Sequence, residues 1–205
     1  MLSGITHYFS AHSLFAFFGF EKLLSIGEEH GLPVVHRPID LHEVMEAAGS
    51  SPFATRTREH VRYFFGLEAR RWASMRRVEW LGRIPKAHSK PYHRANRLLI
   101  AAELRGGENG ALAWELLKRH WQEGADLTDD AVFESALASV GLEAEPLIAE
   151  VESEAVARAY EAYTEEAKAK SVFGSPTYFL DDEMFYGQDR LEMMEWRIEQ
   201  ESEAG

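Results

Sequence analysis

The sequence predicts an α/β fold in which a βαβ unit and a ββα unit are separated by a long helical segment. Three observations predict it. A strand–helix–strand pattern fills the first forty residues, helical periodicity runs from about residue 55 to residue 170, and a strand pair with a final helix closes the last thirty-five. The 205 residues suffice for one good core but are awkward as two independent domains. The expected organisation is therefore a core of residues 1–54 and 171–205, with residues 55–170 as an inserted helical domain.

Residues 5–9 are partly β-branched or aromatic and read as a first strand. Residues 14–26 have helical length, and the helix ends at Gly27 or frays toward His30 and Gly31. Its opening run Leu14-Phe15-Ala16-Phe17-Phe18-Gly19-Phe20 is too short to span a bilayer, lacks a preceding basic region and leads straight into Glu21 and Lys22. It reads as a buried helix of a cytoplasmic protein. Residues 32–39 read as a second strand with prolines at its margins, and the close strand–helix–strand spacing implies a parallel pair.

In the middle segment Leu112, Leu116, Leu117 and Trp121 form one apolar stripe, and Val156, Ala159, Tyr160, Tyr163 and Ala167 another. Between them lies a helix carrying Val132, Phe133, Leu137 and Val140, opened by Thr128 as N-cap with Asp129 and Asp130 in its first turn and closed by Gly141. Such stripes are core packing. Near the end, residues 172–180 read as a strand interrupted by Pro176, Asp181-Asp182 as a turn and residues 183–186 as the hairpin partner. A last helix follows, with Leu191, Met194 and Ile198 on one face and Gln188 or Asp189 as N-cap. This order is that of a thioredoxin core split by an α-helical insertion.

Composition narrows the chemistry. With 22 basic against 34 acidic side chains the net charge is −12, which argues against a nucleic-acid surface and otherwise describes a solvated acidic face. There is no cysteine, so the chain itself cannot exchange disulfides or bind metal through thiolate. The nine histidines show no ligand spacing such as H-E-x-x-H, and no metal is expected.

Three features can carry function. In Gly174-Ser175-Pro176-Thr177 the proline is either an ordinary turn residue or follows a cis bond; in the second case the backbone N–H and C=O of Ser175 are turned outward to pair with an extended peptide. In Gly187-Gln188-Asp189-Arg190 the helix start suits a carboxylate and Asp189 an ammonium, the two charges of a γ-glutamyl head; the alternative is that Asp189 only caps its helix. Ser13, between first strand and first helix, either caps the helix or donates to an anion there. A Ser13–His12 hydrolase is disfavoured, because neighbouring side chains on an extended segment point apart and no G-x-S-x-G is present. Among Arg56, Arg58, Arg62, Arg76 and Arg77 most are expected to be solvated or paired, with one or two free to hold a substrate carboxylate.

Residues 172–191 read V-F-G-S-P-T-Y-F-L-D-D-E-M-F-Y-G-Q-D-R-L, and with Tyr8-Phe9 and Ser13, Ile39-Asp40-Leu41, Arg71-Trp72-Ala73 and Thr164-Glu165-Glu166-Ala167 they resemble the 2-hydroxychromene-2-carboxylate isomerases. These are relatives of kappa-class glutathione transferases and, more distantly, of DsbA-like oxidoreductases. The resemblance covers almost the whole chain and is most specific at its C-terminal end. It implies glutathione as a cofactor returned unchanged, an aromatic chromene-type carboxylate as substrate in aromatic-hydrocarbon catabolism, and a homodimer. It places Ser13 at the serine that contacts the glutathione sulfur and Ser175 before the cis Pro176 that flanks the cysteinyl unit. It puts Tyr186, Gly187, Gln188 and Asp189 at the γ-glutamyl end, and Thr55 and Arg56 at the substrate. The chain departs from the family pattern in having Ser10 and Leu14 where Asp and Pro are usual, Met45 near a lysine position and Ser50 where asparagine is common. The competing readings are a kappa-like transferase that consumes glutathione and a non-catalytic binder of glutathione or peptides.

Overall fold

The structure, a computed structural model, describes residues 2–50, 55–107 and 109–204. Strand β1 (Ile5–Phe9), helix α1 (Leu14–Glu29) and strand β2 (Val34–Pro38) form the first unit, and strands β3 (Thr177–Leu180) and β4 (Glu183–Tyr186) with helix α10 (Leu191–Ala204) the last. The sheet order is β2-β1-β3-β4, with β1 and β2 parallel and the other two pairings antiparallel. Between β2 and β3 lie α2 (Leu41–Ala47), α3 (Arg58–Arg62), α4 (Ala69–Arg76), α5 (His93–Leu104), α6 (Gly110–Lys118), α7 (Asp130–Ser139), α8 (Ala144–Glu150) and α9 (Glu154–Ala169). This is a thioredoxin-like α/β fold with a helical insertion.

Helix α1 explains why the two parts form one body. Its apolar residues do not form a single stripe, and the helix is buried on both sides. Leu23 and Ile26 pack with Ile5, Tyr178 and Leu191 on the sheet side, while Leu14, Phe17, Phe18 and Phe20 join the core of the helical segment with Leu98, Leu116, Trp121 and Phe133. Trp114 of α6 stacks on Phe17 and Phe20, with ring centroids 5.4 and 5.7 Å away. Burial of a large aromatic is worth about 2–3 kcal/mol each, so this shared core rules the assembly.

Several boundaries differ from the sequence reading. Helix α7 is capped by Asp129, whose carboxylate accepts from the Ala131 amide at 3.0 Å, because the Thr128 hydroxyl is spent on Asp126 Oδ1 at 2.7 Å. Strand β3 begins only at Thr177: Pro176 has no N–H for a ladder, and the Thr177 hydroxyl closes a turn by donating to the Gly174 carbonyl at 2.8 Å. Before α10 comes a 3₁₀ turn, Gln188–Arg190, entered through Gly187 at φ 97°, so neither Gln188 nor Asp189 is its N-cap. The second strand is shorter than residues 32–39 by its flanking positions.

Two histidines are sealed in the sheet. His7 and His36 face one another with their Nδ1 atoms 3.0 Å apart, amid Phe9, Phe20 and Tyr178. Burial pushes His36 down to about 4, and burial with the His36 charge pushes His7 well below its usual value. The unfolded chain takes up these protons near pH 6.5 and the folded one does not, so stability is full above that pH and falls as pH drops toward 4. Urea unfolding is expected to lose about 2 kcal/mol to His36 alone between pH 6.5 and pH 5. An unchanged midpoint over that interval would contradict a neutral buried pair.

Candidate functional site

The N-terminal end of α1, the turn before β3 and the turn before α10 meet around a cleft of about 280 Å³. Its lining includes Ser13, Ser175, Pro176, Tyr186, Gly187, Gln188 and Asp189 together with Arg56 and Met45. The sequence candidates for the sulfur, cysteinyl and γ-glutamyl positions thus share one cavity although they lie far apart in the chain. Thr55 is exposed and does not line the cleft, and neither does Ser50, whose amide donates to the Met45 carbonyl at 2.9 Å. Arg58 and Arg62 also stay out of the lining, so Arg56 is the arginine of its segment that faces the cavity.

Ser13 is 8% exposed and makes two bonds. As N-cap of α1 its Oγ accepts from the Ala16 amide at 3.3 Å, and its hydroxyl donates to the Ser175 carbonyl at 3.1 Å. Capping and cleft roles therefore coincide on one atom. The Ser175–Pro176 bond is cis. The Ser175 carbonyl, expected to be open, is taken by Ser13, because the start of α1 abuts this turn; the Ser175 hydroxyl in turn accepts from the Ser10 amide at 3.1 Å.

The turn that carries Ser13 is held by a residue outside the sequence candidates, Asn96 of α5. Fully buried, Asn96 accepts from the Ala11 amide at 2.8 Å through Oδ1, and its Nδ2 donates to the Ile39 carbonyl at 2.9 Å and to Tyr160 Oη at 3.1 Å. An asparagine opening the stretch 95–102, apolar but for Asn96 and Arg97, was the available signal, since a polar side chain among such residues is buried only with partners. Residues 10–13 form a turn, with the Ser13 amide on the Ser10 carbonyl at 2.9 Å, so His12 and Ser13 both line the cleft, contrary to the extended-segment expectation. They are not a catalytic pair: His12 Nδ1 lies 2.8 Å from Ser10 Oγ.

At the opposite end Arg76 of α4 fixes the 187–190 turn. Its guanidinium donates to the Gln188 carbonyl at 2.8 Å and to Gln188 Oε1 at 3.0 Å, and pairs with Glu192. Gly187 is required there, since a Cβ would stand 2.4 Å from Asp189 Oδ1 in a left-handed backbone. Asp189 pairs with Arg190 at 2.6 Å. Gln188 is 1% exposed, and its Nε2 is buried without a partner beside the cleft. Phe15, Phe64, Phe65 and Trp72 supply flat apolar wall, with Arg56 over the Phe64 ring at 5.5 Å. Burial lowers the Arg56 pKa and raises that of Tyr186, the two drawing on one another.

Asp40 lies outside the lining but caps α2, which brings Leu41 and Met45 to the cleft. Burial opposes its charge, but bonds from His93, from Tyr92 at 2.9 Å and from the Glu43 amide hold the carboxyl well below its usual range. Among the described residues no group of three or more His, Asp or Glu is arranged to hold a metal, and no helix is long and apolar enough to cross a membrane.

The DSBA-like thioredoxin domain profile matches residues 4–199. The chain is 29% identical over 198 residues to a 2-hydroxychromene-2-carboxylate isomerase of Sphingobium xenophagum, covering 95% of this chain and 97% of that protein. A protein of the same name from Pseudomonas putida is 29% identical over 195 residues, covering 93% and 92%. The solved structure of a 2-hydroxychromene-2-carboxylate isomerase superposes with a TM-score of 0.85 at 24% identity, covering 98% of each chain.

Replacing Asn96 strands the Ala11 amide and the Ile39 carbonyl in the core. Asn96→Ala is expected to cost about 2–4 kcal/mol in urea unfolding. A loss under about 1 kcal/mol would show that the turn stands without it.

Proposed function

We propose, from the premise that this chain belongs to the family of DSBA-like thioredoxin domains, that it is a glutathione-dependent isomerase of an aromatic chromene-type carboxylate. The isomerase part agrees with the names of its relatives. The observation that carries the glutathione part is the convergence on one cleft of Ser13, the Ser175–Pro176 turn and the 186–189 turn, residues contributed by both ends of the chain. The cleft fits such a guest: it has a hydroxyl at a helix start, an orphaned buried Gln188 Nε2 that asks for an acceptor, and at Asp189 a carboxylate, paired with Arg190 through Oδ2, that an ammonium would share. The aromatic wall and Arg56 suit a flat carboxylate beside it.

Glutathione held by Ser13, the Ser175–Pro176 turn and the 186–189 turn would supply a nucleophilic thiolate for reversible addition to a conjugated carbon. What the protein must provide is stabilisation of that charge. A free thiol near pKa ~8.5 is about 3% ionised at pH 7, and lowering it to ~6.5 requires about 2.7 kcal/mol. Ser13 would meet part of this if its hydroxyl, which donates to the Ser175 carbonyl, were to donate to the sulfur instead, at the positive end of a sixteen-residue helix. Gln188 and Asp189 orient the other end, and Phe64, Phe65 and Trp72 exclude water.

Calorimetry with glutathione, followed by assay on 2-hydroxychromene-2-carboxylate with the thiol concentration monitored, tests the proposal. Isomerisation leaves the thiol constant, consumption points to a transferase, and absence of binding defeats the reading. Ser13→Ala is expected to keep the fold and bind glutathione while raising the pKa of the bound thiol in an ultraviolet titration; an unchanged pKa would remove Ser13 from the chemistry. Asp189→Ala is expected to weaken glutathione binding by about 1–3 kcal/mol, and unaltered affinity would place the γ-glutamyl end elsewhere.

A further inference from the structure

Next to Ser13 the wall of the cleft is built of imidazoles. His12 and His88 both line it and also line an adjoining compartment of about 610 Å³, walled by Leu41, Phe65, Ile84 and Tyr92. Their rings are 5.0 Å apart, and His12 is stacked on Tyr92 at 4.0 Å. Behind His88 stands His120, buried next to Trp121. His88 Nδ1 lies 3.0 Å from His120 Nε2, and His120 Nδ1 lies 2.9 Å from the Ala125 carbonyl oxygen.

This chain has one direction. A carbonyl oxygen only accepts, so His120 carries its hydrogen on Nδ1, and in the neutral ring its Nε2 is an acceptor. His88 therefore donates from Nδ1, which leaves its Nε2 a bare lone pair. Both rings are held neutral chiefly by burial, which lowers His120 and, with His120 beside it, brings His88 to about 4. Among the described residues neither His88 Nε2 nor His12 Nε2 makes a hydrogen bond, and neither is sealed inside the protein. The acceptor thus opens where the two compartments join.

We propose that His88, oriented by His120 as a positioning residue, is the acid–base group of the cleft for a hydroxyl-bearing aromatic acid. The proposal rests on the isomerase reading and deepens it. The hydroxyl on the hemiketal carbon gives its proton to His88 Nε2, and the O–H electron pair becomes the second bond of the new carbonyl. The ring C–O bond breaks, its oxygen leaves with the bonding pair, and the proton returns from Nε2 to that oxygen. Atoms and electrons balance with no oxidant or reductant.

The test uses the full chain saturated with glutathione and 2-hydroxychromene-2-carboxylate. His88→Ala is expected to lower kcat on the order of 10²-fold, with KM and glutathione affinity held within about twofold and activity restored by added imidazole. His120→Leu should also lower kcat, whereas His120→Gln, which keeps an acceptor for His88 and a donor for Ala125, should stay within about threefold of the native enzyme. A His88→Ala enzyme within about threefold of native, or a folded one that imidazole does not rescue, overturns the proposal. Imidazole ¹⁵N spectra give a readout that needs no turnover. At pH 7 His88 should be bare at Nε2, and this resonance should move when o-hydroxycinnamate, a stable hydroxyaromatic acid, is added. If the protein neither binds glutathione nor isomerises the chromene, the isomerase reading fails while the spectra still decide: Nε2 protonated, or unmoved by o-hydroxycinnamate, overturns the role of His88.

Discussion

The cleft depends on the hydrogen bonds of Asn96. One amide side chain joins the Ala11 amide in the turn ahead of α1, the Ile39 carbonyl after β2 and the Tyr160 hydroxyl of α9. These groups come from three separate segments and are buried, so each would carry a desolvation cost if left alone. Satisfying them with one residue fixes the position of Ser13 relative to the sheet to within hydrogen-bond tolerance. The Ser13 hydroxyl then bridges to Ser175, and the two halves of the cleft are in register. The helical insertion, through α5, is thus a structural partner of the turn that carries Ser13.

Charge is distributed in the opposite sense to what the composition suggests. The chain carries a net −12, yet the wall of the cleft at His12 and His88, with the buried His120 behind it, is held without charge. The carboxylates close to it are committed: Asp40 to Tyr92 and His93, and Asp126 to Lys90 and Thr128. Beside Ser13 the cleft therefore presents Arg56, the start of α1 and neutral imidazoles, while its carboxylates, Glu68 and Asp189, stand elsewhere in the lining, Asp189 paired with Arg190.

Much of this architecture was legible because the local signals agreed with one another. The strands, α1, the stripes of α6, α7 and α9 and the hairpin at residues 177–186 follow from periodicity and turn chemistry. The C-terminal motif likewise pointed to Ser175, Tyr186, Gln188 and Asp189, which do share a cavity. What stayed hidden was set by tertiary contact. Asn96 and His88 carry no motif, since their meaning lies in partners 85 and 32 residues away. Thr128 lost the cap to Asp129 through competition by Asp126, and the 3₁₀ turn at Gln188–Arg190 reflects Arg76 gripping Gln188. Position along the chain also misled at Ser13 and His12, because alternation of neighbouring side chains does not hold in a turn.

The Ser13–Ser175 bridge has a consequence for how the molecule comes into being. It links residues 162 positions apart, and Ser10 reaches the same serine across 165. During synthesis β1, α1 and β2 emerge early, but β3, the strand between β1 and β4, arrives only after the whole helical block. Long-range closure of this kind is slow relative to helix formation. The nascent chain therefore passes through a stage in which α1 already has its helical neighbours while one edge of β1 stands open to intermolecular pairing. The pocket itself is among the last features to exist.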